Sequence, residues 1–281
     1  MSIKKIKEAQ IPYEKLENIG LTQQMVEDLP GDTLDHILSG RMSPVLPLHF
    51  FSEEGKSYDA YGRFSFFEKP DGEIGVKVHP VMRPIGETMD VARFNPDNGQ
   101  LEIVEIRTEE RYSKSVIDQL QKGNVVLDYM YSPDGSMERA YLQLDKETNQ
   151  IIGVPEKAIE HNLQIVALEL DLNAAESTRL ENGGLVTYTH DDDIISVGLD
   201  LNSPTGIRFK VGDERQWNES QKRDWDKYEL GVNGCWMTDD DGNLQYIPEE
   251  DYDQFDVWNE AEKERSRKAA AEPARRGMSM K

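Results

Sequence analysis

The sequence predicts an α+β protein in which a short helix followed by an antiparallel three-stranded meander recurs. Short helices precede this at the N-terminus, and two polar helices follow it at the C-terminus. Three observations carry the prediction. Runs of apolar residues with period two are broken at short intervals by turn signals such as Pro70-Asp71-Gly72 and Pro133-Asp134-Gly135. Helical apolar faces stop at glycine just before such runs. Finally, Leu120-Gln121-Lys122-Gly123-Asn124-Val125-Val126 lines up with Leu180-Glu181-Asn182-Gly183-Gly184-Leu185-Val186, a helix-stop glycine at the same place in each.

The elements follow in order. Tyr13, Leu16 and Ile19 recur at helical spacing behind Pro12, which suits a first helical position. Thr22 caps a helix over Gln23 to Asp28, and Asp32 or Thr33 caps one carrying Leu34, Ile37 and Leu38, closed by Gly40. Strands are expected over Val45–Phe51, Tyr58–Phe67 and Ile74–Val78, then a hairpin of Val91–Phe94 and Leu101–Ile106. Val116, Ile117 and Leu120 open the next helix, with strands Val125–Tyr131, Glu138–Leu144 and Gln150–Val154 behind it. The helix from Ala174 opens a further copy, with strands Leu185–Thr189, Ile194–Leu201 and Gly206–Val211. Gln143-Leu144-Asp145 with Thr148 aligns on Asp200-Leu201-Asn202 with Thr205, and a truncated copy starts at Leu230-Gly231 with a hairpin of Cys235-Trp236 and Leu244–Ile247. Glu214 to Tyr228 reads as a helix with Trp217, Trp225 and Tyr228 on one face. A last helix runs from Pro248 to about Ala271, ended by Pro273, with a disordered end beyond. The expected division is 1–110, 111–171, 172–247 and 248–281.

Charge bounds the function. The 281 residues carry a formal net charge of −22, with 37% hydrophobic residues. Eleven Tyr, eight Phe and four Trp are too many for a disordered chain. Residues 263–281 hold seven basic and two acidic side chains, which leaves −27 on residues 1–262. A body of that sign opposes binding to nucleic-acid phosphates. The basic tail of Lys263, Arg265, Arg267, Lys268, Arg275 and Arg276 is where nucleic acid could be touched. One cysteine, no signal-peptide pattern and no 18-residue apolar run point to a cytoplasmic protein without a membrane span.

No catalytic, metal or cofactor-binding set emerges. The histidines at 36, 49, 79, 161 and 190 are scattered, and His79 reads as a strand-end residue. His190 beside Asp191-Asp192-Asp193 reads as an exposed hairpin turn. Asp239-Asp240-Asp241-Gly242-Asn243 resembles a calcium loop, but the EF-hand frame puts Met237 at its first position and Pro248 at its twelfth. Candidate partner-binding residues are therefore Trp217, Trp225, Tyr228, Asp239, Asp240 and Asp241, an aromatic face among acids.

The segments Ile11-Pro12-Tyr13-Glu14-Lys15-Leu16-Glu17-Asn18-Ile19-Gly20-Leu21, Leu34-Asp35-His36-Ile37-Leu38-Ser39-Gly40-Arg41-Met42-Ser43 and Val78-His79-Pro80-Val81 carry a family resemblance. Over residues 10–85 the chain resembles an uncharacterised domain family of proteins from Bacteroidetes conjugative transposons and plasmids. The later copies resemble a repeat module that often follows it. The chain departs from that family in being far more acidic, where members often carry lysine-rich repeats. The resemblance implies a mobile-element setting and brings no catalytic residues. Together these features favour a non-enzymatic interaction or accessory protein that contacts a protein partner through acidic surfaces. The alternatives are a DNA-processing accessory factor that uses the basic tail, and a DNA-mimic inhibitor.

Overall fold

The computed structural model describes residues 6–69, 71–131, 137–190, 193–203, 205–219, 227–239 and 243–278. Its first unit starts with helices α1 (Tyr13–Glu17), α2 (Gln23–Glu27) and α3 (Gly31–Leu38). Thr22 caps α2 as expected, its side chain accepting from the Met25 amide at 3.3 Å. The third helix instead starts behind Pro30, with no side-chain cap from Asp32 or Thr33. Strands β1 (Leu46–Phe51), β2 (Ser57–Glu68) and β3 (Ile74–Pro80) form a meander, to which β4 (Thr88–Asn95) and β5 (Gln100–Arg107) add a hairpin. The sheet order is β3-β2-β1-β5-β4, joined at a parallel β1–β5 contact. Leu16, Ile19, Leu21, Ile37 and Leu38 pack on Leu46, Leu48, Phe50, Phe64 and Phe66 beneath them.

The second unit is α4 (Lys114–Gln121) with β6 (Val126–Tyr131), β7 (Met137–Asp145) and β8 (Gln150–Pro155). The third is α6 (Ala174–Glu181) with β9 (Val186–His190), β10 (Asp193–Leu199) and β11 (Ile207–Val211). Helix α5 (Glu156–Glu169) joins these two units. After α7 (Glu214–Glu219) comes a fourth meander of β12 (Tyr228–Leu230), β13 (Gly234–Thr238) and β14 (Leu244–Pro248), followed by α8 (Tyr252–Phe255) and α9 (Val257–Met278). Each meander pairs antiparallel about its middle strand. The predicted α+β class with recurring three-stranded meanders is thus the observed architecture.

Five expectations are corrected. Of the helix expected over Glu214–Tyr228, Glu214–Glu219 is helical and 220–226 lie outside the described residues, while Tyr228 opens β12 instead, because its backbone pairs with Met237. The truncated last copy is a full meander, since β12 adds a third strand to the hairpin. The last helix is broken at Asp256, whose left-handed φ of 49° separates α8 from α9, and it runs through Pro273 to Met278. Helix α5 was not expected at all; Ile159, Leu163, Val166 and Leu170 form its core face. Lastly, turn geometry matches Asp145 to Asp200 rather than to Asn202. Each carboxylate accepts the amide two residues on, Glu147 at 3.1 Å and Asn202 at 3.1 Å.

Packing follows from strand alternation. Along β7, Ala140 and Leu142 face a cluster with Ile117 and Leu120 of α4 and with Ile85 and Met89 from the first unit. Tyr141 between them faces the opposite cluster with Ile159 and Leu163 of α5, Leu180 of α6, and Val186, Val197 and Ile207. The middle sheet is therefore covered on both faces, by α4 with residues of the first unit on one side and by α5 with the third unit on the other. Strand β13 repeats the device. Trp236 enters the first unit's core, while Cys235 meets Ile247, Tyr252 and Val257.

Glycines with positive φ have distinct physical tasks at a helix stop and at a hairpin turn. Gly183 has φ +83°, and a Cβ there would lie 2.2 Å from the Val125 carbonyl oxygen, so its bareness lets α6 approach β6. Gly72 has a similar φ of +86° with nothing within 4 Å. Gly72→Ala is expected to cost only the left-handed backbone term, about 1–2 kcal/mol. Gly183→Ala adds a backbone clash, so its denaturation midpoint should fall well below that of Gly72→Ala in parallel urea titrations.

Candidate interaction surfaces

Of the aromatic face expected from the sequence, Trp217 and Tyr228 lie on different elements, a helix and a strand. Trp217 is buried in α7, and the Arg208 guanidinium lies 3.9 Å from its ring centroid. Arg208 also donates through Nη2 to the Trp217 carbonyl at 3.2 Å. Gly198 of β10 leaves room for the indole, whose nearest atom would stand 3.1 Å from a Cβ there. Trp217 therefore covers its own sheet. Tyr228 is half-buried in β12 against the cluster of Cys235, Ile247, Tyr252 and Val257. Trp225 lies outside the described residues. Asp239 closes the β13–β14 turn, accepting the Asn243 amide at 2.7 Å and its side-chain amide at 3.2 Å. Asp240 and Asp241 lie outside the described residues.

Ahead of the basic tail, Val257 and Ala261 in the first turns of α9 are buried. Lys263 pairs with Glu260 at 2.6 Å, and Arg267 with Glu264 at 3.9 Å. Arg265 is exposed. The side chains of Lys268, Arg275 and Arg276 lie outside the described residues. Where it is described, the tail is thus largely neutralised within its own helix.

Several carboxylates are instead built into the fold. Asp28, 5% exposed, accepts the amides of Val232 at 2.7 Å and Asn233 at 3.0 Å, and the Tyr246 hydroxyl at 2.6 Å. Burial and that bond to Asp28 raise the Tyr246 phenol above its ordinary range. Asp145 sits beside Arg63 of β2, whose Nε donates at 2.8 Å while Nη1 donates to the Ser43 carbonyl at 2.7 Å and Nη2 to Glu147. The Thr148 hydroxyl completes Asp145 at 2.9 Å. Buried Cys235 has its thiol pushed up to about 11, by burial first and then by Glu229, so it stays protonated at neutral pH. Among the described residues no group of three or more His, Cys, Asp or Glu converges for a metal ion, and no helix is long and apolar enough to cross a membrane.

The surface that sequence reasoning missed lies on α5 and α6. Residues 156–181 hold six carboxylates against Lys157 and Arg179. Glu160, Glu169, Asp171 and Glu181 are exposed, with no ion-pair partner among the described residues. On the side of α5 away from its core stripe, Ile165 and Leu168 are 44% and 81% exposed. Helical spacing puts Glu160 and Glu169 on either flank of them. The field of this region is felt inside: burial first, then Glu156 and Glu181, raise the Tyr141 phenol to about 12. The available signal was Pro155 followed by Ile159, Leu163, Val166 and Leu170 at helical spacing.

Residues 6–86 match the family model described as Protein of unknown function (DUF4099), spanning α1–α3 and β1–β3 and stopping short of β4. This stretch is thus similar to an uncharacterised domain family, over nearly the span on which the sequence resemblance rests. Neither a search of curated proteins nor one of solved structures returned a match for the chain.

Two outcomes follow from these contacts. Arg63→Met should destabilise the chain by about 3–5 kcal/mol, because the buried Asp145 carboxyl group loses its guanidinium partner. Urea unfolding checks this, and Asp145→Asn in the Arg63→Met background should recover part of the loss. His79, near Ser65 and Gln150, has its imidazole lowered to about 3 by burial first and then by Lys77 and Arg63. Between pH 6.5 and about 3 the unfolded chain therefore binds a proton that the folded chain refuses. Stability should fall through this window as the pH drops, and His79→Gln should flatten the slope in pH-dependent melts.

Proposed function

We propose that this chain is a non-enzymatic accessory protein of a mobile genetic element that holds a basic protein partner against the α5–α6 surface. The observation that carries the reading is the pairing of exposed Ile165 and Leu168 with flanking carboxylates that the fold does not consume. An apolar centre rimmed by one sign of charge supplies both desolvation energy and steering toward a cationic surface. The mobile-element setting, in Bacteroidetes, rests on the family resemblance of residues 10–85. The cytoplasmic location rests on the single, unpaired cysteine.

A second reading, DNA contact through the basic tail, is favoured by the exposure of Lys263, Arg265 and Arg267 on α9. Gel shifts on the full chain and on a chain ending at Glu262 separate the two, because only the second reading requires tail-dependent binding. A DNA-mimic role has less support, because Glu169 lies on a different side of α5 from Glu156 and Glu160 instead of extending a row.

The test is capture of partners from native-host extract at low ionic strength. The wild type is compared with a Glu160→Gln/Leu168→Ser/Glu169→Gln variant. The expected result is a basic partner recovered by the wild type, bound about tenfold more weakly by the variant and released by added salt. Equal capture by both proteins removes the assignment to this surface.

A further inference from the structure

We propose that the outer edge of β11 is a strand-addition site, and that its occupant is an extended peptide of a partner protein reading apolar–acidic–apolar. The backbone sets the site. The β10–β11 ladder pairs Ile195 with Val211, Ser196 with Lys210, Val197 with Phe209 and Gly198 with Arg208, without a break. In the same register, the Gly212 amide donates to the Ile194 carbonyl at 2.7 Å and the Asp200 amide to the Gly206 carbonyl at 3.0 Å. Antiparallel pairs alternate between bonded and non-bonded, so Ser196–Lys210 and Gly198–Arg208 are the bonded ones. The amides and carbonyls of Phe209 and Val211 therefore point away from β10, and β11 is an edge strand of its sheet. Among the described residues these four groups have no partner. At Ile207 the same direction is closed, because its carbonyl accepts the Ser203 hydroxyl at 2.8 Å and the Thr205 hydroxyl at 3.0 Å.

Side chains make the edge specific. Alternation puts Phe209 and Val211 on one face, 51% and 62% exposed, and Arg208 and Lys210 on the other. Phe209 and Val211 continue the face on which Val197, Leu199 and Ile207 are buried, with Ile195 and Tyr188 half-buried beside them. The cover supplied by α5 and α6 thus stops short of this end of the sheet. In the second unit the corresponding strand β8 is half-buried throughout, and Gln150 at its start donates to the Pro80 carbonyl of the first unit. An apolar edge with unpaired amides is a template for one more strand, whose main chain supplies affinity and whose alternate side chains supply selectivity.

Charge selects the occupant. Lys210 is half-buried between Phe209 and Val211 and has no ion-pair partner among the described residues. Two copies joined antiparallel through this edge would set Lys210 opposite another Lys210 or opposite Arg208, depending on register. Like charges directly opposite are destabilising, and each copy carries −22. A foreign strand with a carboxylate at that position is matched instead. Its flanking apolar residues lie opposite Phe209 and Val211, exchange both backbone hydrogen bonds with each, and cover their exposed side chains. This ligand is opposite in charge to the one proposed for the α5–α6 surface, so the two sites are independent.

The probe is the acetylated and amidated peptide Thr-Thr-Val-Glu-Val-Thr-Thr, titrated into the full chain at about 0.15 M salt, with amide hydrogen exchange followed by NMR. In the free chain the Phe209 and Val211 amides should exchange much faster than those of Arg208 and Lys210. The peptide should slow the first pair at least about tenfold and leave the second pair unchanged. A peptide with Lys in place of Glu should bind about fivefold more weakly, and one N-methylated at both Val residues at least about tenfold more weakly. Val211→Pro deletes an outward amide that the β10 ladder does not use, so this variant should fold and lose the peptide. Should it fail to fold, Phe209→Ser/Val211→Thr takes its place, with weakened binding expected. Lys210→Glu should reverse the preference between the Glu and Lys peptides. The proposal is overturned if the Glu peptide does not bind at millimolar concentration, if N-methylation changes nothing, or if Lys210→Glu keeps the preference for Glu. Phe209 and Val211 amides already protected in the free monomer overturn it too. Protection that grows with protein concentration alone gives the edge to a second copy and equally overturns it. The Glu160→Gln/Leu168→Ser/Glu169→Gln variant should bind the peptide like the wild type, which separates failure here from failure of the α5–α6 reading.

Discussion

In the middle strand β7, Ala140 and Leu142 point one way and Tyr141 the other, and all three are nearly inaccessible. A sheet of three short strands has no second layer of its own, so both faces must be covered from elsewhere. In this chain α4, together with Ile85 and Met89 of the unit before, supplies one cover, and α5 and α6 supply the other. The same demand on β13 draws Trp236 into the first unit and packs the fourth meander against it. Burying side chains such as Leu142 or Tyr141 is worth roughly 2–3 kcal/mol each, far more than any exposed ion pair in the molecule.

Against this background the excess of carboxylates acquires two separate roles. Asp28, Asp145 and Asp200 spend their charge on backbone amides and arginines, fixing turns and joining units. Asp200 shows this most clearly: it caps its turn, lies 3.4 Å from Arg208, and offsets the burial that lowers both Arg41 and Arg208. Glu160, Glu169, Asp171 and Glu181, on and beside α5 and α6, are not used in this way and face solvent, whereas Glu156 pairs with Arg139 and Glu176 accepts the Asn173 amide. A net charge read from composition cannot separate these two populations, yet only the second is free to act on a partner.

What was legible in the sequence was local. Period-two runs located all three strands of the first three meanders, because alternation is set by the pleat and survives any tertiary arrangement. Gly123 and Gly183 were legible as helix stops because a positive φ is a backbone demand that few other residues meet. Helix α5 escaped because its charged outer face and exposed Ile165 and Leu168 blur the apolar stripe of Ile159, Leu163 and Val166. Tyr228 was misassigned because its spacing from Trp217 fits a helix, while its backbone is taken by pairing with Met237.

By itself, then, the sequence determined the recurring helix-plus-meander unit, the positions of its turns and the imbalance of charge. These depend on residues within a few positions of one another, or on composition alone. Only the tertiary structure decided which unit covers which face, that Trp217 is core rather than contact, and that Asp28 holds a turn more than 200 residues away. Those outcomes depend on which distant groups meet. A buried carboxylate and an exposed one are written with the same letter, and only their surroundings tell them apart.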